Sequence, residues 1–159
     1  MPEIEDLQKD PIAQRLRSWD PQSIAEVVEF RGERTLLVPR SHLRRVAELL
    51  AGDRELEFNF LSDITGMDLF PVEPRFELNY HMVSLAHRAT LRLRVRLHGS
   101  DPVVPSVANV WPTANWHERE VFDMFGIRFE GHPDLRRILM PEDWEGHPMR
   151  KDYPVEGYR

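Results

Sequence analysis

Residues 76–97 read FELNYHMVSLAHRATLRLRVRL, and their alternation sets the fold class. Apolar side chains recur at every second position in both halves, which is the period of β-strands with one buried face. The pattern breaks around residues 87–89, where the chain can turn. We therefore predict an antiparallel hairpin whose strands bury their apolar sides against a hydrophobic core.

The second strand of this hairpin carries a row of arginines opposite its leucines. Arg92, Arg94 and Arg96 alternate with apolar residues, so all three point away from the core. Such a row could bind phosphate or RNA, but no aromatic residue interleaves with the arginines to stack on bases. We interpret the row as a solvated sheet face, on which Glu77 of the neighbouring strand pairs with the arginines.

The chain upstream of the hairpin supplies helices and further strands. They are a helix at 11–19, strands at 24–30 and 35–38, a helix at 42–51 that Ser41 caps, and a strand from 57 that gives way to a loop at Gly66. This order predicts a single α+β domain, in which a mixed β-sheet carries helices on one face. We expect residues 1–110 to form the α+β core. Residues 111–159 are expected to add a motif helix and an extended, proline-rich C-terminal segment of the same domain.

Composition excludes several classes of function. The formal net charge is −6, which argues against nucleic acid as a partner. Because the chain has no cysteine, it cannot hold disulfides, a catalytic thiolate, or cysteine-ligated zinc or iron–sulfur clusters. No run approaches the ~20 apolar residues of a membrane span, and the acidic start is unlike a secretory or organellar leader. We expect a cytoplasmic location, with any membrane contact made through partners.

A charged helix is predicted at residues 115–126, NWHEREVFDMFG. Asn115 is a suitable N-cap, and Glu118 three residues later could close a capping box with it. On a helical wheel Glu118 falls among the apolar residues, and a carboxylate in that position needs a partner. Two partners remain open: the capping box itself, and an arginine of the C-terminal segment, Arg136 or Arg137. The ionic side of the helix consists of Arg119, Glu120 and Asp123.

The helix lacks a complete catalytic or metal-binding motif. His117 and Glu118 begin like the zinc-binding helix of a protease, but Val121 stands where this motif requires its second histidine. Glu118 and Glu120 lie on different sides of the helix, so they cannot easily flank one glycosidic bond. A free-standing metal hydrolase that uses His117, Glu120 and His132 is the alternative from another functional class.

Charged and aromatic residues fill the C-terminal segment together with prolines. The residues that stand out are Arg136, Arg137, Trp144, Arg150, Lys151, Asp152 and Tyr153. Prolines favour an extended path and reduce the entropy lost when the segment is ordered. Arginine and tryptophan are typical anchors of protein interfaces. We therefore predict a segment that docks on a partner; the alternative is a segment that covers the domain's own sheet.

Residues 118–139, EREVFDMFGIRFEGHPDLRRIL, resemble the signature of a known family. This is the 30 kDa subunit family of respiratory complex I, represented in bacteria by the C subunit of the proton-translocating NADH:quinone oxidoreductase. The residues that match are Glu118, Arg119, Glu120, Asp123, His132 and Arg136. Residues 141–154, PEDWEGHPMRKDYP, resemble the next block of the family.

The resemblance implies a non-catalytic core subunit of the hydrophilic arm, peripheral to the bacterial inner membrane on its cytoplasmic side. It implies docking to the 49 kDa-like D subunit and to the cluster-bearing B subunit, and a role in assembly. No cofactor is expected on this chain, since FMN, the iron–sulfur clusters and quinone belong to partner subunits. Those partners pass electrons from NADH to quinone, coupled to proton translocation. The equivalent subunit of a related membrane-bound hydrogenase-type complex is the alternative.

The resemblance also implies interface residues, and no residues for catalysis, cofactor or metal. The interface or motif residues are Glu118, Arg119, Glu120, Asp123, His132, Arg136, Arg137, Trp144, Arg150, Lys151, Asp152 and Tyr153. The C and D subunits are fused in some bacteria. Because this chain ends at Arg159, we expect the separate form.

Overall fold

A five-stranded sheet forms the centre of the computed structural model, which describes residues 8–158. The strands are β1 (Glu26–Phe30), β2 (Glu33–Leu37), β3 (Phe60–Asp68), β4 (Phe76–Ser84) and β5 (Ala89–Leu97). Their order across the sheet is β1-β2-β5-β4-β3, with β2 and β5 parallel and the other neighbours antiparallel. The prediction of an α+β domain with a mixed sheet is confirmed.

The predicted hairpin of β4 and β5 is also confirmed. The pairing runs from Phe76 opposite Leu97 to Ser84 opposite Ala89. The alternating apolar residues that define the predicted face are all buried in the core: Phe76, Leu78, Tyr80, Met82, Leu91, Leu93, Val95 and Leu97. The period of two therefore identified the buried face of both strands correctly.

On the other face of the sheet, the arginine row is paired with acids from neighbouring strands. Glu77 lies 3.0 Å from Arg94 and 3.4 Å from Arg96, measured between the closest nitrogen and oxygen atoms. Arg92 pairs in the same way with Glu33 of β2, at 2.7 Å. The predicted role of Glu77 is confirmed, and most of the charge of the row is balanced within the sheet.

Strand β3 continues through Gly66, so the predicted loop at this residue is wrong. Gly66 pairs with Leu78 of β4. A Cβ atom at this position would lie 2.8 Å from the ring of Phe125, so the missing side chain lets that ring pack directly on the strand. Glycine serves here for close packing rather than for a turn.

Helices α1 (Pro11–Trp19) and α2 (Leu43–Gly52) pack on the apolar side of the sheet. Asp10 caps α1, because its side chain accepts a hydrogen bond from the Ala13 N–H at 2.9 Å. The buried face of α2 is the one that its spacing predicted: Leu43, Val46, Ala47 and Leu50. Within residues 8–158, no helix has the length and apolarity needed to cross a bilayer.

Ser41 does not cap α2, contrary to the prediction. A short 3₁₀ turn, Arg40–His42, leads directly into the helix, and His42 holds the cap position without a side-chain hydrogen bond. The Ser41 hydroxyl lies 3.1 Å from the ring nitrogen Nδ1 of His42 instead. The preceding turn therefore continues into the helix, which leaves no place for a serine cap.

A helix between two short strands follows the sheet. Strand β6 (Val103–Pro105) and strand β7 (Arg128–Glu130) pair in parallel, and α3 (Ala114–Phe125) connects them. Helix α3 packs against β3, and its residues Val121 and Phe125 enter the common core. The two three-residue strands were not predicted, because so short a segment carries no readable period.

Candidate functional site

Helix α3 carries the charged motif, and its first turn is held differently from the prediction. Thr113 occupies the cap position, but its side chain caps no N–H group of the helix; its hydroxyl donates to the Leu61 carbonyl of β3 at 3.4 Å instead. The N–H groups of Ala114, Asn115 and Trp116 donate to carbonyl groups of residues 111–113. The predicted cap at Asn115 is wrong, because the turn before the helix already satisfies the N–H groups that a cap would serve.

The carboxylate of Glu118 is fully buried and binds the segment that follows β6. Its Oε2 accepts from the Ser106 hydroxyl at 2.6 Å, and its Oε1 accepts from the Val107 N–H at 2.7 Å. Both predicted partners are therefore wrong: there is no capping box, and Arg136 and Arg137 pair with other carboxylates. Burial raises the pKa of Glu118 to about 7, although the two hydrogen bonds act in the opposite direction.

Tyr80 and His132 are the other polar side chains around this carboxylate. Burial, and then the charge of Glu118, raise the pKa of Tyr80 well above its ordinary value; its hydroxyl has no partner among the described residues. His132 Nε2 lies 3.9 Å from the Glu118 carboxylate, but it donates to the Asn115 carbonyl at 3.0 Å. Its Nδ1 accepts from the Asp134 N–H. These bonds fit a neutral imidazole with its proton on Nε2.

Asp123 lies at the centre of a second buried group, which we call the Asp123 cluster. One carboxylate oxygen pairs with Arg137 at 2.7 Å, and the other accepts from three consecutive backbone N–H groups, those of residues 138–140. Arg137 also donates to the carbonyls of Trp144 and Gly146. Burial acts to raise the pKa of Asp123, but these hydrogen bonds outweigh it and lower that pKa.

Arg119 extends this contact between α3 and the C-terminal segment. Its guanidinium donates to the backbone carbonyls of Arg136 and Arg137 at 3.1 and 3.0 Å. It also lies over the ring of Trp116, 5.3 Å from the ring centroid. The C-terminal segment thus covers part of the predicted ionic side of α3, and Arg119 on that side binds the backbone of this segment.

The end of the C-terminal segment is fixed by a third group, the Asp68 cluster. Asp68 lies at the end of β3, and Arg75 forms a bidentate ion pair with its carboxylate, at 2.9 Å to each oxygen. The same carboxylate accepts a hydrogen bond from the Lys151 N–H at 2.8 Å. Arg75 binds Asp152 as well, at 2.7 Å. Arg150 donates to the carbonyl of Phe125 at 2.6 Å. The segment is therefore tied to both β3 and α3.

Sequence reasoning missed Ser106, Asp68 and Arg75. Asp68 and Lys151 are 83 residues apart in sequence, and Ser106 and Glu118 are 12 residues apart. No local pattern marks such contacts. The one available signal was the position of Asp68 beside a proline-containing turn, where a carboxylate often serves the backbone.

Replacing Asp68 with asparagine should destabilise the fold by about 2 kcal/mol at pH 7. Burial acts to raise the pKa of Asp68, but Arg75 and the N–H groups of Lys151 and Phe70 lower it to about 2 from the ordinary 3.8. Because the folded pKa is depressed, this stabilisation is present above pH 3.8 and is lost as the pH falls through about 2. Urea unfolding gives the free energy of unfolding of variant and wild type, and the difference between them should be smaller at pH 3 than at pH 7.

The matched control for this prediction is Asp101→Asn. Asp101 pairs with Arg40, but both side chains are about half exposed, so the substitution should change stability by less than about 1 kcal/mol. Equal free energies of unfolding for the Asp68 variant and the control at pH 7 would contradict the role given to the Asp68 cluster.

The residues predicted for a partner interface divide into two sets. The first set makes side-chain contacts within the chain: Glu118, Arg119, Asp123, His132, Arg137, Arg150 and Asp152. The second set keeps its side chains open to solvent or only partly covered: Glu120, Arg136, Trp144, Lys151 and Tyr153. Two of them also have a neighbour in the chain, since Arg136 pairs with Asp134 and Tyr153 packs against Tyr158. The contact of either set with a partner stays a prediction.

The alternative of a metal hydrolase depends on His117, Glu120 and His132. Over the part of the chain that the structure describes, no three His, Cys, Asp or Glu side chains are grouped so that they could hold a metal ion. The structure therefore does not bring these three residues together as a site.

Comparison with known proteins identifies the family. Residues 36–159 match the family model described as "Respiratory-chain NADH dehydrogenase, 30 Kd subunit". The C subunit of the NADH-quinone oxidoreductase of Roseiflexus sp. strain RS-1 is 50% identical over 91% of this chain and 83% of its own length. The corresponding C subunit of Rhizobium etli strain CIAT 652, the copy numbered 2, is 47% identical over 96% of this chain and 79% of its own length.

Two solved structures share the fold. A trypsin-resistant fragment of Nqo5 has a TM-score of 0.65 and 33% identity, covering 80% of this chain and 99% of that one. A chain of the membrane-bound sulfane sulfur reductase, an archaeal respiratory membrane complex, has a TM-score of 0.75 and 25% identity over 93% of this chain and 86% of that one. The motif around α3, the α+β fold and the family match agree: the chain belongs to the family of the 30 kDa subunit of the respiratory-chain NADH dehydrogenase, known in its bacterial relatives as the C subunit of NADH-quinone oxidoreductase.

Proposed function

We propose that this chain is a non-catalytic core subunit of the hydrophilic arm of the complex and that assembly requires it. It docks on the counterparts of the D and B subunits, and the complex holds it on the cytoplasmic side of the inner membrane. FMN, the iron–sulfur clusters and quinone are bound by partner subunits, and electrons pass from NADH to quinone, coupled to proton translocation, without entering this chain. The lack of cysteine supports the last point, because iron–sulfur clusters are held mainly by thiolates.

The observation that carries this proposal is that the C-terminal segment, residues 132–158, is held in a fixed position without regular secondary structure. The described residues of this segment form no helix or strand. The Asp123 cluster nevertheless fixes its beginning to α3, and the Asp68 cluster fixes its end to β3. A segment that is ordered before it binds loses less conformational entropy on association, which favours a stable interface.

This fixed segment also shows large apolar side chains to solvent. They are Ile138, Leu139, Trp144, Met149, Val155 and Tyr158, and Trp116 of α3 adds another. Apolar residues concentrated on one segment and mixed with arginine and aromatic residues are typical of surfaces that bind other proteins. A segment whose only task was to cover the sheet would bury these side chains rather than the charged ones.

Introducing a charge at Leu139 tests the docking role. Its side chain is 61% exposed, so Leu139→Asp should leave the fold intact, while a buried charge at an interface should weaken association at least tenfold, about 1.4 kcal/mol or more. We expect the tagged variant, expressed in place of the wild-type chain, to recover less of the D and B subunits from detergent-solubilised membranes. NADH:quinone reduction by the membranes should fall in proportion.

Leu85→Asp is the matched control. Leu85 is 71% exposed in the turn between β4 and β5, and this turn lies at the other end of β4 from Phe76, against which Arg150 of the C-terminal segment packs. This variant should assemble normally. Normal assembly and turnover with Leu139→Asp would contradict the proposed interface, provided that the variant unfolds at the wild-type temperature. Arg137 is unsuitable for such a test, because its loss would break the Asp123 cluster.

A second candidate is the equivalent subunit of a related membrane complex with another electron donor. The likeness to the chain of the sulfane sulfur reductase favours it, since the fold is shared over 93% of this chain. The proteins that co-purify with a tagged chain distinguish the two candidates. Flavin-containing, NADH-oxidising subunits in the preparation support the NADH-quinone oxidoreductase, and a preparation that lacks them supports the alternative.

A further inference from the structure

We propose that the end of the C-terminal segment forms a cation-binding pocket that receives an arginine side chain of a partner protein in the complex. This inference rests on the docking role proposed above and adds the chemistry that the partner must supply. The pocket is a surface cavity, and its residues make no contact with the buried Glu118 carboxylate.

The pocket is a cavity of about 530 Å³ with two kinds of wall. Its aromatic wall consists of Trp144, Tyr153 and Tyr158, and its acidic wall of Asp143, Glu145 and Glu156. The two tyrosine rings meet edge to face, with centroids 5.4 Å apart at 85°. Trp144 is 40% exposed, which leaves part of the indole open to a ligand. Aromatic faces and carboxylates both attract cations.

The two tyrosine rings of the pocket pack against the backbone of Gly146. Gly146 has φ +78°, and a Cβ atom on it would lie 2.7 Å from the ring of Tyr158 and 2.9 Å from that of Tyr153. Both rings therefore rest directly on the Gly146 backbone. Arg137 donates to the carbonyls of Trp144 and Gly146, so the Asp123 cluster holds the same backbone. The aromatic wall is thus fixed before any ligand arrives.

The acidic wall forms no ion pair with residues 8–158. Asp143, Glu145 and Glu156 have no basic side chain of that range within the 4.0 Å that defines an ion pair. The three arginines of the segment have other partners: Arg136 pairs with Asp134, Arg137 pairs with Asp123, and Arg150 donates to the Phe125 carbonyl. The pocket therefore offers net negative charge beside π-faces, which complements a cation from outside.

Arginine suits this pocket better than other cationic side chains. Its planar guanidinium stacks on aromatic faces and at the same time donates several hydrogen bonds in fixed directions to carboxylates. A pocket that is lined by both aromatic rings and carboxylates satisfies both parts of that group. Arginine is also enriched among the residues that dominate protein interfaces.

Binding can be measured on the full isolated chain with N-acetyl-L-arginine amide as the probe. The chain has four tryptophans, so the indole N–H signal of Trp144 in a ¹⁵N NMR spectrum is assigned by comparison with Trp144→Phe. We expect a saturable shift of this signal with a Kd on the order of millimolar. N-acetyl-L-citrulline amide, the neutral isostere, should bind at least about tenfold more weakly, because it lacks the charge.

A pair of double variants provides the control. Glu145→Gln with Glu156→Gln removes two acids from the pocket and should weaken arginine binding by at least about tenfold. Glu26→Gln with Glu29→Gln removes the same charge from strand β1 and should leave binding unchanged. The pocket is overturned if the arginine probe gives no saturable shift, if citrulline binds equally well, or if the two double variants bind alike.

The same variants in the intact complex test the proposed occupant. With the pocket variant, the chain should dissociate from the complex at a lower KCl concentration than with the β1 variant. If the pocket variant and the β1 variant dissociate at the same KCl concentration, an arginine of the partner does not occupy the pocket. The docking role would still hold in that case, provided that Leu139→Asp disrupts the complex. Failure of the docking role itself would appear as normal assembly with Leu139→Asp, which is a separate readout.

Discussion

Replacement of Asp123 with alanine is expected to lower the free energy of unfolding by about 3–5 kcal/mol, the usual cost of removing one partner from a buried ion pair. Arg137, whose side chain is also largely buried, loses its only carboxylate partner among the described residues. The N–H groups of residues 138–140 lose their acceptor at the same time. Because the cluster fixes the start of the C-terminal segment, we also expect the segment to become mobile.

Two measurements check this prediction. Urea unfolding gives the change in stability, and limited trypsin digestion reports the exposure of the bonds after Arg136 and Arg137. Asp134→Ala is the control, because Asp134 pairs with Arg136 on the surface and should contribute less than about 1 kcal/mol. If Asp123→Ala unfolds like this control and resists trypsin equally, the cluster does not hold the segment.

The wild-type chain is expected to lose stability between pH 5 and pH 8, and replacement of Glu118 with glutamine should abolish most of this loss. In the wild-type chain, burial raises the pKa of Glu118 from 4.5 to about 7. A raised folded pKa means that the protonated carboxyl contributes stability fully below pH 4.5 and that this contribution is lost as the pH rises through about 7. The loss amounts to about 3 kcal/mol.

Glutamine suits the site because it can keep both hydrogen bonds. Its carbonyl oxygen can accept from the Val107 N–H, and its amide can donate to the Ser106 hydroxyl, without any charge to desolvate. The variant should therefore match the wild type near pH 5 and exceed it by about 3 kcal/mol at pH 8.

Urea unfolding at pH 5, 6, 7 and 8 checks the prediction as a difference between variant and wild type. Other titrating groups are common to both chains and cancel in that difference. Glu120→Gln removes the same charge from the exposed side of α3 and should leave the decline in place. Parallel curves for wild type and Glu118→Gln would contradict the assignment of a buried, titrating carboxyl.

The sequence was most informative where a single element determines the pattern. The alternation of β4 and β5 identified the sheet, its buried face and the pairing of the arginine row. The spacing of apolar residues in α2 identified its buried face. These features are local, because one strand or one helix dictates which side chains share a face. The charged motif of α3 carried the family resemblance.

Contacts between distant segments were not predictable. Asn115 was assigned as a cap because its residue type suits one, although the backbone before α3 already satisfies the helix. Gly66 was assigned to a loop, although it serves the packing of Phe125. Asp123 and Arg137 were assigned to a partner, since the sequence cannot show whether an ion pair closes within a chain or between chains. The structure pairs these two side chains with each other and leaves Leu139 and Trp144 of the same segment exposed to solvent.

The most direct test of the docking role is site-specific photo-crosslinking in the assembled complex. A benzophenone amino acid placed at Leu139 or at Leu85 samples two exposed positions, one on the C-terminal segment and one in the turn after β4. The docking role predicts an adduct with the D or B subunit from position 139 and none from position 85. Adducts with those subunits from position 85 alone, in a complex of normal activity, would contradict it.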